Sequence, residues 1–310
     1  MIYMDLLLII IFSLLLDLVW GEPPSFIHPV VYMGKIIDFL KPHLVKYQSR
    51  TSGFYLTFLL LTLFIIPTYF IIQSTQAYLL IYIIISAIIL FTTFAIKELL
   101  NSIQKVKIDI KTDINQARLS ISYLVSRDST ILSKEELISA TIETLTENIT
   151  DSVVSPLFYT FFLGVLGGVA YRVVNTLDAM VGYKNKENIN IGWFPARLDD
   201  MANFLPARLT GLLIVFSAVF IGLNWRRSYQ TMMKDANKTP SPNSGYPMAA
   251  AAGALGIQLK KKGYYTLGES INSLNVDKID QALLLSKVTI ILFLVLSFIT
   301  FAVIMYISNY

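Results

Sequence analysis

"FYLTFLLLTLFIIPTYFIIQSTQAYLLIYIIISAIILFTTFAI", residues 54–96, runs for 43 positions without an Asp, Glu, Lys or Arg. The polar turn "QSTQ", residues 73–76, divides it into segments 54–72 and 77–96. At about 1.5 Å of rise per residue, each is long enough as a helix to cross roughly 30 Å of hydrocarbon. Residues 288–307 supply a further uncharged run, and residues 1–20 a fourth despite Asp5 and Asp17. The first segment has neither the basic start nor the small-residue cleavage site of a secretory leader, so it is expected to remain as a helix.

The rest of the composition agrees with that reading. Of 310 residues, 55% are hydrophobic and only 15% charged, and the mean hydropathy is +0.60. The fold class expected is an all-α, polytopic membrane helical bundle, with residues 1–310 forming one integral membrane domain. The absence of cysteine excludes disulfides, thiol nucleophiles and thiolate metal or iron–sulfur sites, and two histidines argue against a histidine-rich metal centre. A net charge of +4 calls for no nucleic-acid partner.

All 25 Lys and Arg residues fall within 21–53, 97–152, 171–208 and 225–287. By the positive-inside rule the termini and "QSTQ" face outward, while the first two basic stretches and the last face the cytoplasm. Segments 153–170 and 209–223 are ambiguous, since the first contains Pro156 and three glycines and the second is short. If both span, the basic loop 171–208 is stranded outside. We therefore expect neither to span, with irregular backbone buried in the bundle or lining a cavity. The protein then sits in the cell membrane as a multi-pass chain whose polar loops and active site share the cytoplasmic side.

The polar region 97–152 should be helical, with Ser133 and Glu136 in capping-box spacing. On the helix that follows, Glu143, Glu147 and Asp151 recur every four residues, with Asn148 beside them, and so share one face. Three stacked like charges require a cation or a basic partner, and Mg²⁺ carried by a phosphorylated substrate suits the first case; a solvated acidic face is the alternative. "NTLDAMVGYK" offers Asn175 and Asp178 one turn apart, with Lys184 at its end; Asn175 as a helix cap is the structural alternative. "ARLDDMANFLPARL" places Asp199, Asp200 and Asn203 between Arg197 and Arg208. Acids for Mg²⁺ beside arginine forks for phosphate oxygens suit a phosphate-handling site. "SPNSGYP" is a turn by composition that exposes Ser241 and Asn243 as donors and acceptors, with or without a function. His28 lies in a proline-defined loop, where a structural role competes with a catalytic one. Neither a GxxxxGK[ST] nor a GxGxxG sequence occurs, so any ATP site is not of those kinds.

The stretches "LLLDLVWGEPPSFIHPVVYMGK", "ARLSISYLVSRDS", "ATIETLTENITDSVVSPLF", "AYRVVNTLDAMVGYK", "GWFPARLDDMANFLPARLT" and "SPNSGYPMAAAAGALG" together resemble the CobD/CbiB family of cobalamin biosynthesis proteins, the adenosylcobinamide-phosphate synthases. The resemblance implies a membrane ligase that joins a carboxylate of the corrinoid adenosylcobyric acid to the amine of aminopropanol phosphate, using ATP and Mg²⁺. Matched by motif, it places Glu147, Asn148, Asp151, Asn175, Asp178, Arg197, Asp199, Asp200, Arg208, Ser241 and Asn243 at the site. We take Glu143, Glu147, Asn148, Asp151, Asp199 and Asp200 as catalytic candidates, with Glu147, Asp151, Asp199 and Asp200 as the metal ligands. His28, Asn175, Asp178, Lys184, Arg197, Asn203, Arg208, Ser241 and Asn243 are candidates for binding substrate. The sequence departs from the family pattern at Glu22, Ser126, Ser139 and Met248, where many relatives have Asp, Gly, Arg and Glu, which leaves the exact amino-alcohol phosphate open. Two other readings compete: a Mg²⁺-dependent polyprenyl transferase, and a permease or non-catalytic sensor. A transporter should bury charge near the midplane, whereas here the acids gather at polar loops.

Overall fold

The long uncharged stretch does not fold as two equal spans. In the computed structural model, which describes residues 2–183 and 185–308, it gives one long helix and one short one. In chain order the helices are α1 (Ile2–Trp20), α2 (Pro29–Val45), α3 (Arg50–Thr75), α4 (Leu79–Phe91), α5 (Lys97–Thr112), α6 (Ile114–Ser122), α7 (Lys134–Ile149), α8 (Ser155–Val181), α9 (Trp193–Ala202), α10 (Phe204–Phe220), α11 (Trp225–Asp235), α12 (Gly245–Leu255) and α13 (Asp277–Ser308). A hairpin of β1 (Leu259–Lys261) and β2 (Tyr265–Leu267) interrupts the otherwise all-α, polytopic fold. By length and composition, Arg50–Thr75, Lys134–Val181 and Asp277–Ile307 could each cross a bilayer.

The 26 residues of α3 extend about 39 Å. Ser49 caps its start by accepting from the Thr51 N–H. The 13 residues of α4 reach only about 20 Å, where residues 77–96 were expected to cross. Two things end α4 early. The Thr92 and Thr93 hydroxyls donate to the carbonyls of Ile89 and Leu90, closing the last turn. Asp17 of α1, buried, then accepts from the N–H groups of Ile96 and Lys97, so the chain restarts as a new helix at Lys97.

The described chain forms two compact units. The first takes residues 1–97, 155–202 and 300–310. Its core joins Met33 and Ile37 of α2, Leu56 and Leu60 of α3, and Val173 and Leu177 of α8. Within α8, Gly164 adopts φ 70° and ψ −167°, a conformation that only glycine adopts readily. The chain reverses there. The Tyr159 and Tyr171 rings stack at 5.6 Å, and a Cβ at Gly167 would collide with the Tyr159 carbonyl. Residues 153–170 therefore form no uninterrupted helix, as Pro156 and the glycines suggested.

The second unit takes residues 98–154 and 203–299. Ile103 and Val106 of α5, Ile121 of α6 and Leu137, Ile142 and Leu145 of α7 form its main cluster with Leu259 and Leu267 of the hairpin. The Ala- and Gly-rich α12 is buried along its length against α10 and α11. Its small side chains admit close backbone approach: Ser228 donates to the Ala250 carbonyl, and a Cβ at Gly253 would meet Thr231. The expected capping box is present, with Glu136 N–H donating to Ser133 and Ser133 N–H donating to Glu136.

Candidate functional site

In the first unit, α8 and α9 bring separated motifs together. Asn175 lies inside α8 and caps nothing; its Nδ2 donates to Asp199 Oδ1 of α9 at 3.5 Å. Arg172, one turn earlier, donates to Asn175 Oδ1 at 3.4 Å. Asp199 is buried and Asp200 and Asp178 are partly buried, whereas Arg197 is exposed. The cap reading of Asn175 thus fails, and the amide bridges the two acid-bearing helices instead. His28, by contrast, is a cap: its Nδ1 accepts from the Val30 N–H at 3.3 Å at the start of α2. Burial, and secondarily the Arg172 charge, push its pKa down, which keeps the imidazole neutral and able to accept. Lys184 lies outside the described residues.

In the second unit the stacked acids have different environments. Glu143 is 4% exposed and has both carboxylate oxygens engaged. Oε1 accepts from the Ser139 hydroxyl at 2.6 Å, and Oε2 accepts from Arg127 at 3.1 Å and from the Tyr265 hydroxyl at 2.7 Å. Burial, with the Glu143 charge beside it, pushes the Tyr265 phenol far up, so it stays protonated and donates. The basic partner that three like charges demanded is therefore Arg127, at least for Glu143. This acid anchors α7 to the hairpin and to the loop before α7. Glu147 and Asp151 are partly exposed, and Asp151 falls in a π turn, Thr150–Val154, that follows α7. Such π turns recur at functional sites. Asn148 donates to the Thr144 carbonyl and hydroxyl.

Arg208 of α10 is held from several sides. It donates to the Phe204 carbonyl at 2.7 Å and to Asn243 Oδ1 at 3.3 Å, and its guanidinium lies 3.5 Å and 4.3 Å from the Phe204 and Tyr246 ring centres. In the "SPN" turn, the Asn243 N–H donates to Ser241 Oγ at 3.2 Å. Asn203 is buried at the start of α10. A planar cation clamped between aromatic rings keeps its fork oriented, which is the geometry suited to a phosphate.

Among the described residues, no three His, Asp or Glu side chains gather as a ready cage for a metal ion. Mg²⁺ does not need one, since it binds through one or two carboxylates, retained waters and the substrate's phosphates. The oxygen donors of Glu147 and Asp151 fit that requirement. Sequence reasoning did not single out Arg127, Arg172 or Tyr265. The first two lay within "VSRDS" and "AYRVVNTLD", but their partners are distant in sequence or were assigned other roles.

The comparisons with known proteins agree with one another. A family model described as CobD/Cbib protein matches residues 10–304. The chain is 49% identical to the "Probable cobalamin biosynthesis protein CobD" of Methanothermobacter thermautotrophicus, covering 92% of this chain and 94% of that one. It is 40% identical to the "Cobalamin biosynthesis protein CobD" of Dehalococcoides mccartyi, covering 91% and 93%. It is 39% identical to the "Probable cobalamin biosynthesis protein CobD" of Methanocaldococcus jannaschii, covering 93% and 96%. No solved structure matches.

Proposed function

The chain belongs to the CobD/Cbib family, and from that premise we propose that it acts in cobalamin biosynthesis as an ATP-dependent amide-forming ligase. Its substrates are adenosylcobyric acid and an amino-alcohol phosphate, aminopropanol phosphate or a close relative, and its product is adenosylcobinamide phosphate. The supporting observation is Arg208, clamped between Phe204 and Tyr246 and hydrogen-bonded to Asn243 of the "SPN" turn. It is a pre-oriented donor for a phosphate, and the amino-alcohol substrate and ATP both carry one.

A carboxylate and an amine in water form a salt rather than an amide. The proposed route begins with attack of the corrinoid carboxylate on the γ-phosphorus of ATP, which releases ADP and leaves an acyl phosphate. The amine then attacks the acyl carbon, phosphate departs, and the amine nitrogen loses a proton. Mg²⁺ bound with ATP supplies charge neutralisation at the transferred phosphoryl group. Glu147 and Asp151 are the residues to hold it, and Arg208 is the residue to orient a phosphate. Within the first unit, Asn175 ties Asp199 to α8.

The test is to incubate the purified protein with adenosylcobyric acid, aminopropanol phosphate and ATP–Mg²⁺ and to look for the amide by mass spectrometry. Product that requires all three substrates supports the ligase. Consumption of none of them by folded protein overturns it.

A further inference from the structure

Within the first unit lies a half-open groove with a cavity volume of about 430 Å³, inside the roughly 300–1,000 Å³ range of small-molecule sites. Its body is apolar, formed by α3 and α4 around Leu63, Phe64, Ile71 and Ile88, and Pro67 interrupts the α3 wall. Leu63, Ile71 and Ile88 are each more than 40% exposed, and they lie on helices that carry no charged residue past Arg50. Surfaces of that composition suit hydrocarbon, and the body of the groove is mostly apolar, with Thr68, Thr92 and Thr93 as its polar exceptions. One charged side chain, Arg172, enters the lining. It sits at the end formed by the loop before α2, since Ile27 and Pro29 line the groove there and the Arg172 charge acts on His28 between them.

An apolar trough that opens to the bilayer and ends at a guanidinium beside a polar loop has the polarity of an amphiphile. We propose that the groove is a binding site for an anionic membrane lipid, with a hydrocarbon chain along α3 and α4 and the phosphate headgroup on Arg172. The charge selects an anionic headgroup, because a guanidinium binds a phosphate oxygen pair through its fork. Arg172 also donates to Asn175, which donates to Asp199. A headgroup on Arg172 thus loads one end of the hydrogen-bonded chain that holds α9 to α8. This inference concerns binding and does not depend on the ligase reading.

The full chain, purified in detergent, is tested with phosphatidylglycerol and phosphatidylcholine of identical acyl chains. Native mass spectrometry reads the retained lipid, and thermal unfolding reads the stabilisation. Phosphatidylglycerol should be retained about tenfold more than phosphatidylcholine, a difference typical of one charge-assisted contact, and should raise the melting temperature more. Leu63→Trp, at the exposed mouth, should abolish retention of both lipids. Arg172→Gln should equalise them, and Arg172→Lys, which keeps the charge, should retain part of the preference. Equal retention of the two lipids by the unaltered chain overturns the proposal, as does undiminished phosphatidylglycerol binding by Leu63→Trp. Should Arg172→Gln fail to fold, the Leu63→Trp and Arg172→Lys results decide. Amide formation is not a readout, so failure here leaves the ligase assay unaffected.

Discussion

Glu143 and Glu147 are the same residue type one helical turn apart, yet the fold gives them different surroundings, the first buried and the second partly exposed. Glu143 is sealed among Arg127, Ser139 and Tyr265, so removing its carboxylate leaves a largely buried guanidinium without its counter-charge. Glu143→Ala should destabilise the protein by about 3–5 kcal/mol, the range found for breaking one side of a buried pair. Glu147→Gln combined with Asp151→Asn should leave thermal unfolding in detergent near that of the parent while lowering turnover at least about a hundredfold, because a ligand charge for Mg²⁺ is lost. Near-normal turnover in that well-folded double variant would remove both acids from the catalytic account. The spacing of the acids was legible in the sequence, but the burial of Glu143 in an ion-paired cluster was not. It depends on Arg127, sixteen residues earlier, and on Tyr265, which lies in a hairpin more than a hundred residues later. Two of the departures from the family pattern, Ser139 and Met248, fall on this one cluster, the first donating to Glu143 and the second 3.9 Å from the Tyr265 hydroxyl.

The same contrast between local and distant causes holds for the elements. The capping box at Ser133 and Glu136 is written within four residues and was readable directly. The end of α4 was not, because Asp17, some eighty residues earlier in the chain, captures the N–H groups that a longer helix would have used. The π turn at Thr150–Val154, which holds Asp151, has no reliable local signature either. In the reversal within α8, composition pointed the right way: Gly164 supplies the positive φ, and Gly167 lets the two arms meet. Gly167→Ala places a methyl group against the Tyr159 carbonyl and should cost about 2 kcal/mol by overpacking. A melting temperature equal to the parent's would show that the two arms do not pack as described.

For the whole molecule, hydropathy identified the class correctly and left the path of the chain unfinished. An all-α, polytopic chain was legible because uncharged runs of bilayer length are rare for any other reason. The division into two compact units was not, since each is assembled from stretches far apart in sequence. The charge distribution predicts a definite orientation, and the cysteine-free background makes it measurable. Ser74→Cys, in the last turn of α3, should react with a membrane-impermeant thiol reagent applied to intact cells, and Asn185→Cys should react only after the membrane is opened. Labelling of Asn185→Cys from outside would reverse the placement of the loop between α8 and α9.

The ligase account stands or falls on how the corrinoid carboxylate is activated, and oxygen tracing reads that step directly. With adenosylcobyric acid labelled with ¹⁸O in its reacting carboxylate, attack on the γ-phosphorus of ATP carries one labelled oxygen to phosphorus, and attack by the amine leaves it there. The account predicts one ¹⁸O in inorganic phosphate for each amide formed, with ADP unlabelled. Amide formed with no label in phosphate, or with the label in AMP, would contradict it.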